Sequence, residues 1–219
     1  ERILRMTPKN RQTTLFSATM PPFIKRMIHR YMRDPQTVSV APEQATVPEI
    51  RQLYYEVAAR DKSRALRALL EEWGEMPRAL VFCKMQGAVD RLTADLQRAG
   101  YPVEGIHGGM TQAVRTKVMQ GFRSGAVKAL VSTNVAARGL DIPDVTHVVS
   151  FDAPQNVEEY IHRIGRTGRM GRTGLAITFV SDLEDFEVLD AIKQKVGDQL
   201  EFSESSIYAQ HFSSERSAV

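Results

Sequence analysis

Four arginines and no acid fall in the eleven positions from His162 to Arg172, as His162-Arg163-Ile164-Gly165-Arg166-Thr167-Gly168-Arg169 followed by Met170-Gly171-Arg172. Guanidinium groups are planar, permanently charged forks that match phosphate oxygens. One held against a transferring phosphoryl group can accelerate the reaction by roughly 10³ to 10⁵. A spacing of three puts Arg163, Arg166 and Arg169 on one side of a helix, whereas Gly165 and Gly168 favour a turn from which the side chains leave the surface. By itself the cluster suits either an anion site or a solvated basic turn.

A second run, His107-Gly108-Gly109-Met110-Thr111-Gln112 with Arg115, pairs two glycines that permit close backbone approach with a helix start whose free amides can meet a phosphate. Gln112 and Arg115 lie one turn apart on one face. Contacts of this kind follow a sugar–phosphate track and read few base edges, so binding through them is salt-sensitive and indifferent to base sequence. Each residue taken singly also reads as a cap or a solvated surface position. Ser17 and Thr19 end an apolar run just before Pro21 and Pro22, where they suit helix caps. No Gly-x-Ser-x-Gly elbow surrounds Ser17, which excludes it as a nucleophile of that class.

Cys83 is the only cysteine, so an internal disulfide framework and a multi-cysteine metal site are excluded, and a reducing, cytoplasmic setting is expected. In an apolar run it reads as inert core. His29, His107, His147, His162 and His211 include no His-x-x-x-His pair. Tyr54, Tyr55 and Tyr101 read as packing residues. No Gly-x-x-x-x-Gly-Lys-Ser/Thr loop and no Asp-Glu-Ala-Asp run occurs in the 219 residues, so this chain holds no phosphate cradle or magnesium site of the P-loop kind.

The elements that must position these residues alternate in type. Apolar, β-branched runs at 13–18, 37–40, 52–57, 79–83, 103–106, 129–132, 147–151 and 176–180 predict strands. Helical periodicity is read at 22–32, 62–73, 86–98, 112–123, 157–164 and 183–195, with Ala65, Leu66, Leu69, Leu70 and Trp73 facing one core. Alternation of this kind predicts an α/β fold with a parallel sheet flanked by helices. Asn156 before Glu159 and Ser181 before Glu184 are spaced as capping boxes. Pro42 and Pro48 interrupt the periodicity, dividing the chain into residues 1–41, a linker 42–50 and a second domain 51–202. The Ser-rich remainder, 203–219, is expected to be disordered.

With 42% hydrophobic and 25% charged residues the chain can build a sizeable core, and no apolar run is long enough to span a membrane. The net charge of +3 is unevenly spread: +6 over residues 1–34, +3 over 35–181 and −6 over 182–219. A basic body is compatible with a polyanionic partner.

The arginine octet resembles a motif of the DEAD-box RNA helicases. Phe16-Ser17-Ala18-Thr19-Met20-Pro21, Ala79-Leu80-Val81-Phe82-Cys83, the His107 run and Ser132-Thr133-Asn134-Val135-Ala136-Ala137-Arg138-Gly139-Leu140-Asp141 resemble further motifs of that family, in order, within residues 7–200. The resemblance implies the end of a first RecA-like domain and a complete second one, a P-loop NTPase-like helicase domain. It implies RNA as partner and ATP with Mg²⁺ as cofactor, the magnesium held mainly by an upstream RecA-like domain. Arg166 and Arg169 match arginine fingers. Gly139 and Asp141 match nucleotide contacts, although an aspartate there also suits a cap or a turn. Gly108, Gly109, Gln112, Arg115, Thr133 and Arg138 match contacts to the RNA backbone. Ser17, Thr19, His162 and Arg163 match residues that couple hydrolysis to RNA. Asn134 stands where the family usually has aspartate. Two other readings remain: a non-catalytic RNA-binding or docking module, and half of a DNA helicase.

Overall fold

The computed structural model describes residues 2–17, 20, 22–38, 50–73, 75–137, 142, 145–168 and 172–203. The chain divides into two compact units, Glu1–Ala45 and Thr46–Val219.

In the first unit, α1 (Arg2–Arg5) and α2 (Pro22–Tyr31) are helical. The strands expected at 13–18 and 37–40 do not form among the described residues, 13–17 and 37–38. β-propensity is realised against a hydrogen-bonded neighbour and a packed face. Phe16 and Val38 have neither, at 93% and 85% exposure, and α2 buries no residue. Residues 18 and 39–40 lie outside the described residues.

The second unit is built on seven parallel strands: β1 (Ile50–Glu56), β2 (Ala79–Cys83), β3 (Val103–Ile106), β4 (Ala129–Thr133), β5 (His147–Ser150), β6 (Gly174–Val180) and β7 (Leu200–Phe202). Their order is β3-β4-β2-β5-β6-β1-β7. Ile50, the last residue of the expected linker, is the first of β1. β7 went unread because three residues are too few to show a period.

Parallel neighbours need crossovers, and helices supply them. α3 (Lys62–Glu72) and α4 (Gln86–Arg98) pack Leu66, Leu69, Val89 and Leu96 on Leu53, Val81, Val131 and Ile177 of one sheet face. On the other face, α5 (Gln112–Ser124) sets Val118, Met119 and Phe122 on Leu80, Leu130 and Val148. The short α6 (Asn134–Ala137) follows β4 directly. α7 (Val157–Ile164) and α8 (Leu183–Val196) cover β1 and β6 through Tyr160, Ile164, Leu189 and Ile192. Residues 80 and 82 thus face one layer while 79, 81 and 83 face the other, the period of two that buries both sides of a parallel sheet.

Local chemistry sets the helix starts. Asn156 Oδ1 accepts the Glu159 N–H at 2.9 Å, as its spacing predicts. The box expected at Ser181 lies one residue on: Asp182 Oδ1 caps the Asp185 N–H at 3.0 Å, and Asp185 Oδ2 accepts the Ser181 N–H at 2.9 Å. The Ser181 hydroxyl is enclosed without a hydrogen-bond partner, so a carboxylate, the stronger acceptor, has taken the cap. Among the described residues no helix is long and apolar enough to cross a membrane.

Candidate nucleotide and nucleic-acid interface

β2, β4 and β5 are adjacent, so their carboxyl ends deliver Cys83, Thr133 and Ser150 to one edge of the sheet. In open α/β sheets such an edge, where connections diverge to opposite sides, is the ligand crevice. Arg163 reaches it from α7. Its Nη1 donates to the Asp152 carbonyl at 2.6 Å, its Nε to Asn134 Oδ1 at 2.8 Å and its Nη2 to Glu159 Oε1 at 2.7 Å. The guanidinium also lies 5.1 Å from the Phe82 ring centroid.

Arg163 is 2% exposed and Glu159 7%. Burial pushes the Arg163 pKa down, and the Glu159 and Asp152 carboxylates oppose that shift. A guanidinium so paired stays charged. Arg163, one of the arginine cluster in the sequence and matched there to a coupling residue, is an internal brace in the structure.

Arg166 lies one turn further, where its Nε donates to the His162 carbonyl at 3.3 Å. Arg166, His162, Asn134, Ala137 and Phe82 line one shallow depression. Thr167, 1% exposed, ties the following turn to the Val145 carbonyl at 2.8 Å. Arg169 lies outside the described residues, as do Arg138, Gly139 and Asp141 of the segment after α6. Thr133 is buried at the end of β4 and pairs in register with Cys83. Cys83 is fully buried, and burial with the nearby Asp152 charge pushes its thiol up to about 12, an inert group.

Gly108 and Gly109 form the turn between β3 and α5. The Gly109 N–H donates to His107 Nδ1 at 3.1 Å, and His107 Nε2 faces Asp90 Oδ1 at 3.0 Å. A Cβ on Gly109 would sit 2.7 Å from Gln86 Oε1 and 3.1 Å from the His107 ring, so only glycine fits this packing without a shift. Thr111 Oγ1 caps α5 by accepting the Val114 N–H at 3.4 Å. Gln112 is exposed at the helix start, and Arg115 is half-buried on the same side with its Nε enclosed and without a hydrogen-bond partner. Asp90 and Gln86, both on α4, went unnoticed in the sequence because nothing local marks a helix that meets a turn from another strand.

Ser17 is exposed in the first unit, and Thr19 lies outside the described residues. Among the described residues no group of three or more His, Cys, Asp or Glu side chains could hold a metal ion. The guanidinium groups fit phosphate oxygens, and the Glu159 carboxylate is already shared between Arg163 and Asn134.

Residues 61–171 match the helicase conserved C-terminal domain. The chain is 49% identical over 195 residues to the DEAD-box ATP-dependent RNA helicase CshA of Bacillus licheniformis, covering 89% of this chain and 39% of that protein. It is 50% identical over 185 residues to CshA of Geobacillus kaustophilus, covering 84% and 39%. It therefore spans about two fifths of the length of these relatives. Dbp5 of Saccharomyces cerevisiae, solved bound to RNA and ADP BeF3, is similar over 92% of this chain and 54% of its own, with a TM-score of 0.81 and 34% identity. The DEAD-box protein SrmB of Escherichia coli, solved with the regulator of ribonuclease activity A, is similar over 70% and 90%, with a TM-score of 0.65 and 36% identity.

Proposed function

Because the chain belongs to the DEAD-box RNA helicases, we propose that it works as the closing half of an ATP-driven RNA helicase, with residues 1–41 completing an upstream RecA-like domain and 51–202 forming the second. Hydrolysis of ATP, with its magnesium held by that upstream domain, supplies the driving energy.

The carrying observation is the brace around Arg163. It fixes α7 by three hydrogen bonds, to Asn134 at the start of α6, to the Asp152 carbonyl just past β5 and to Glu159 of α7 itself, and so fixes the turn from which Arg166 extends. In the closed state Arg166 and Arg169 donate to the γ-phosphate oxygens, over which the transferring group's charge is spread, and so stabilise the transition state. Gly139 and Asp141 hold the nucleoside end. Gly108, Gly109, Gln112, Arg115, Thr133 and Arg138 take consecutive RNA phosphates, which bends one strand and separates a short duplex. Ser17, Thr19, His162 and Arg163 relay closure between the two sites. Domain closure is therefore the catalytic switch, and the chain alone does not hydrolyse ATP. The protein acts in the cytoplasm.

Steady-state ATPase assays on the complete protein test this reading. RNA should stimulate hydrolysis, and Arg166→Ala should abolish the stimulation. Stimulation surviving that change would overturn the finger assignment.

A further inference from the structure

Both ends of the Asn134 amide meet charged groups. Oδ1 accepts from Arg163 Nε at 2.8 Å, and Nδ2 donates at 2.7 Å to Glu159 Oε1, the same oxygen that accepts Arg163 Nη2. The reverse amide orientation would set N–H against N–H and oxygen against carboxylate, so the partners fix it. The three side chains close a ring that holds one cation, one anion and one dipole.

Both charged members of this ring are buried, so screening of its charges is weak. An aspartate at 134 would have the same shape but would replace the N–H donor by an acceptor facing the Glu159 carboxylate. Two anions would then share one cation. The Glu159 side chain shows the same logic from the other side. Its spacing from Asn156 suits a reciprocal capping box, yet its carboxylate turns inward to Arg163 and Asn134.

We propose that Asn134 and Glu159 are a matched pair of positioning residues: the anion that neutralises Arg163 is carried by α7 at 159, and position 134 is therefore an amide that ties the start of α6 to α7. The departure from aspartate at 134 is thus compensated within the ring. Through Arg163 the pair holds the last turn of α7, and with it Arg166, in register for the phosphate; this consequence rests on the proposed helicase reading.

The test is a double-mutant cycle in the complete protein with Asn134→Asp, Glu159→Gln and both together. Each single variant should lower the thermal midpoint by roughly 5 °C. Each should also lower RNA-stimulated kcat about tenfold, with KM for ATP within about twofold, because the finger acts in the transition state. The double variant restores one anion and one amide to the ring and should recover most of both losses. An Asn134→Asp protein indistinguishable from the parent, or losses that simply add in the double variant, would overturn the pairing. If the parent itself shows no RNA-stimulated ATPase, the helicase reading fails and the thermal cycle alone decides, with recovery supporting the pair and additivity refuting it.

Discussion

His107 Nε2 lies 3.0 Å from Asp90 Oδ1, joining the residue after β3 to the middle of α4. The other ring nitrogen accepts the Gly109 N–H, which leaves Nε2 as the nitrogen that donates to the carboxylate. The glycine turn is thereby tied to α4 through one ring. Asp90→Ala releases the ring, and loss of one hydrogen bond of this kind should weaken RNA binding roughly three- to tenfold. Affinity for ATP should not change. Fluorescence anisotropy with a labelled single-stranded RNA measures the effect on the complete protein, and an unchanged Kd would refute the tether.

Arg163 and Arg166 are one turn apart and look equivalent in the sequence, but their substitutions should fail differently. Arg163→Ala strands the Glu159 carboxylate in a buried ring, a change that typically costs about 3–5 kcal/mol. Arg166→Ala removes a half-buried side chain and should shift stability by no more than about 0.5 kcal/mol, while activity falls by roughly 10³ or more. Thermal denaturation beside ATPase assays separates the two. Equal destabilisation by both would undo the division between brace and finger.

The pattern of the second unit was legible because it is local. Bounds read for β2, β3, α4 and α7 coincide with those observed, since apolar alternation, helical spacing and caps all lie within a few residues of the elements they define. Residues 13–17 misled for the same reason: Phe16 and its neighbours have strand chemistry, but a strand also needs a partner, which no local pattern supplies. In the site, Arg166 was legible as one of four arginines in an acid-free run of eleven residues. The ring of Asn134, Glu159 and Arg163 was not, because it depends on β4 and β5 flanking β2, an order visible only once the sheet is assembled.

Thr167 sits between two arginines in the sequence yet serves the core. Its hydroxyl donates to the Val145 carbonyl at 2.8 Å, and a Cβ on Gly174 would lie only 2.5 Å from Thr167 Oγ1. Thr167→Val keeps the shape and leaves the carbonyl unpaired, at a cost of about 1–3 kcal/mol. That corresponds to a fall of roughly 2–10 °C in Tm for a domain of this size. Thr167→Ser retains the donor and should lose less. Differential scanning calorimetry of the two variants decides, and a valine variant as stable as the serine one would show that the hydrogen bond contributes nothing.

His147 opens β5 with its ring centroid 4.4 Å from that of Trp73, and its Nδ1 lies 2.9 Å from the Thr146 hydroxyl. Burial lowers its pKa from 6.5, because a charged imidazolium is poorly solvated there. The folded state therefore binds this proton less readily than the unfolded state. The stability that His147 contributes is complete above pH 6.5 and is lost as the pH falls from there through the lower folded value. His147→Phe keeps an aromatic ring against Trp73 and removes the proton site. Between pH 7 and pH 8 the two proteins should keep a constant difference in Tm. Below pH 6.5 the parent should lose Tm more steeply than the variant until its folded form is also protonated. Scanning fluorimetry across that range checks the sign, and parallel curves throughout would show that the ring titrates alike in both states.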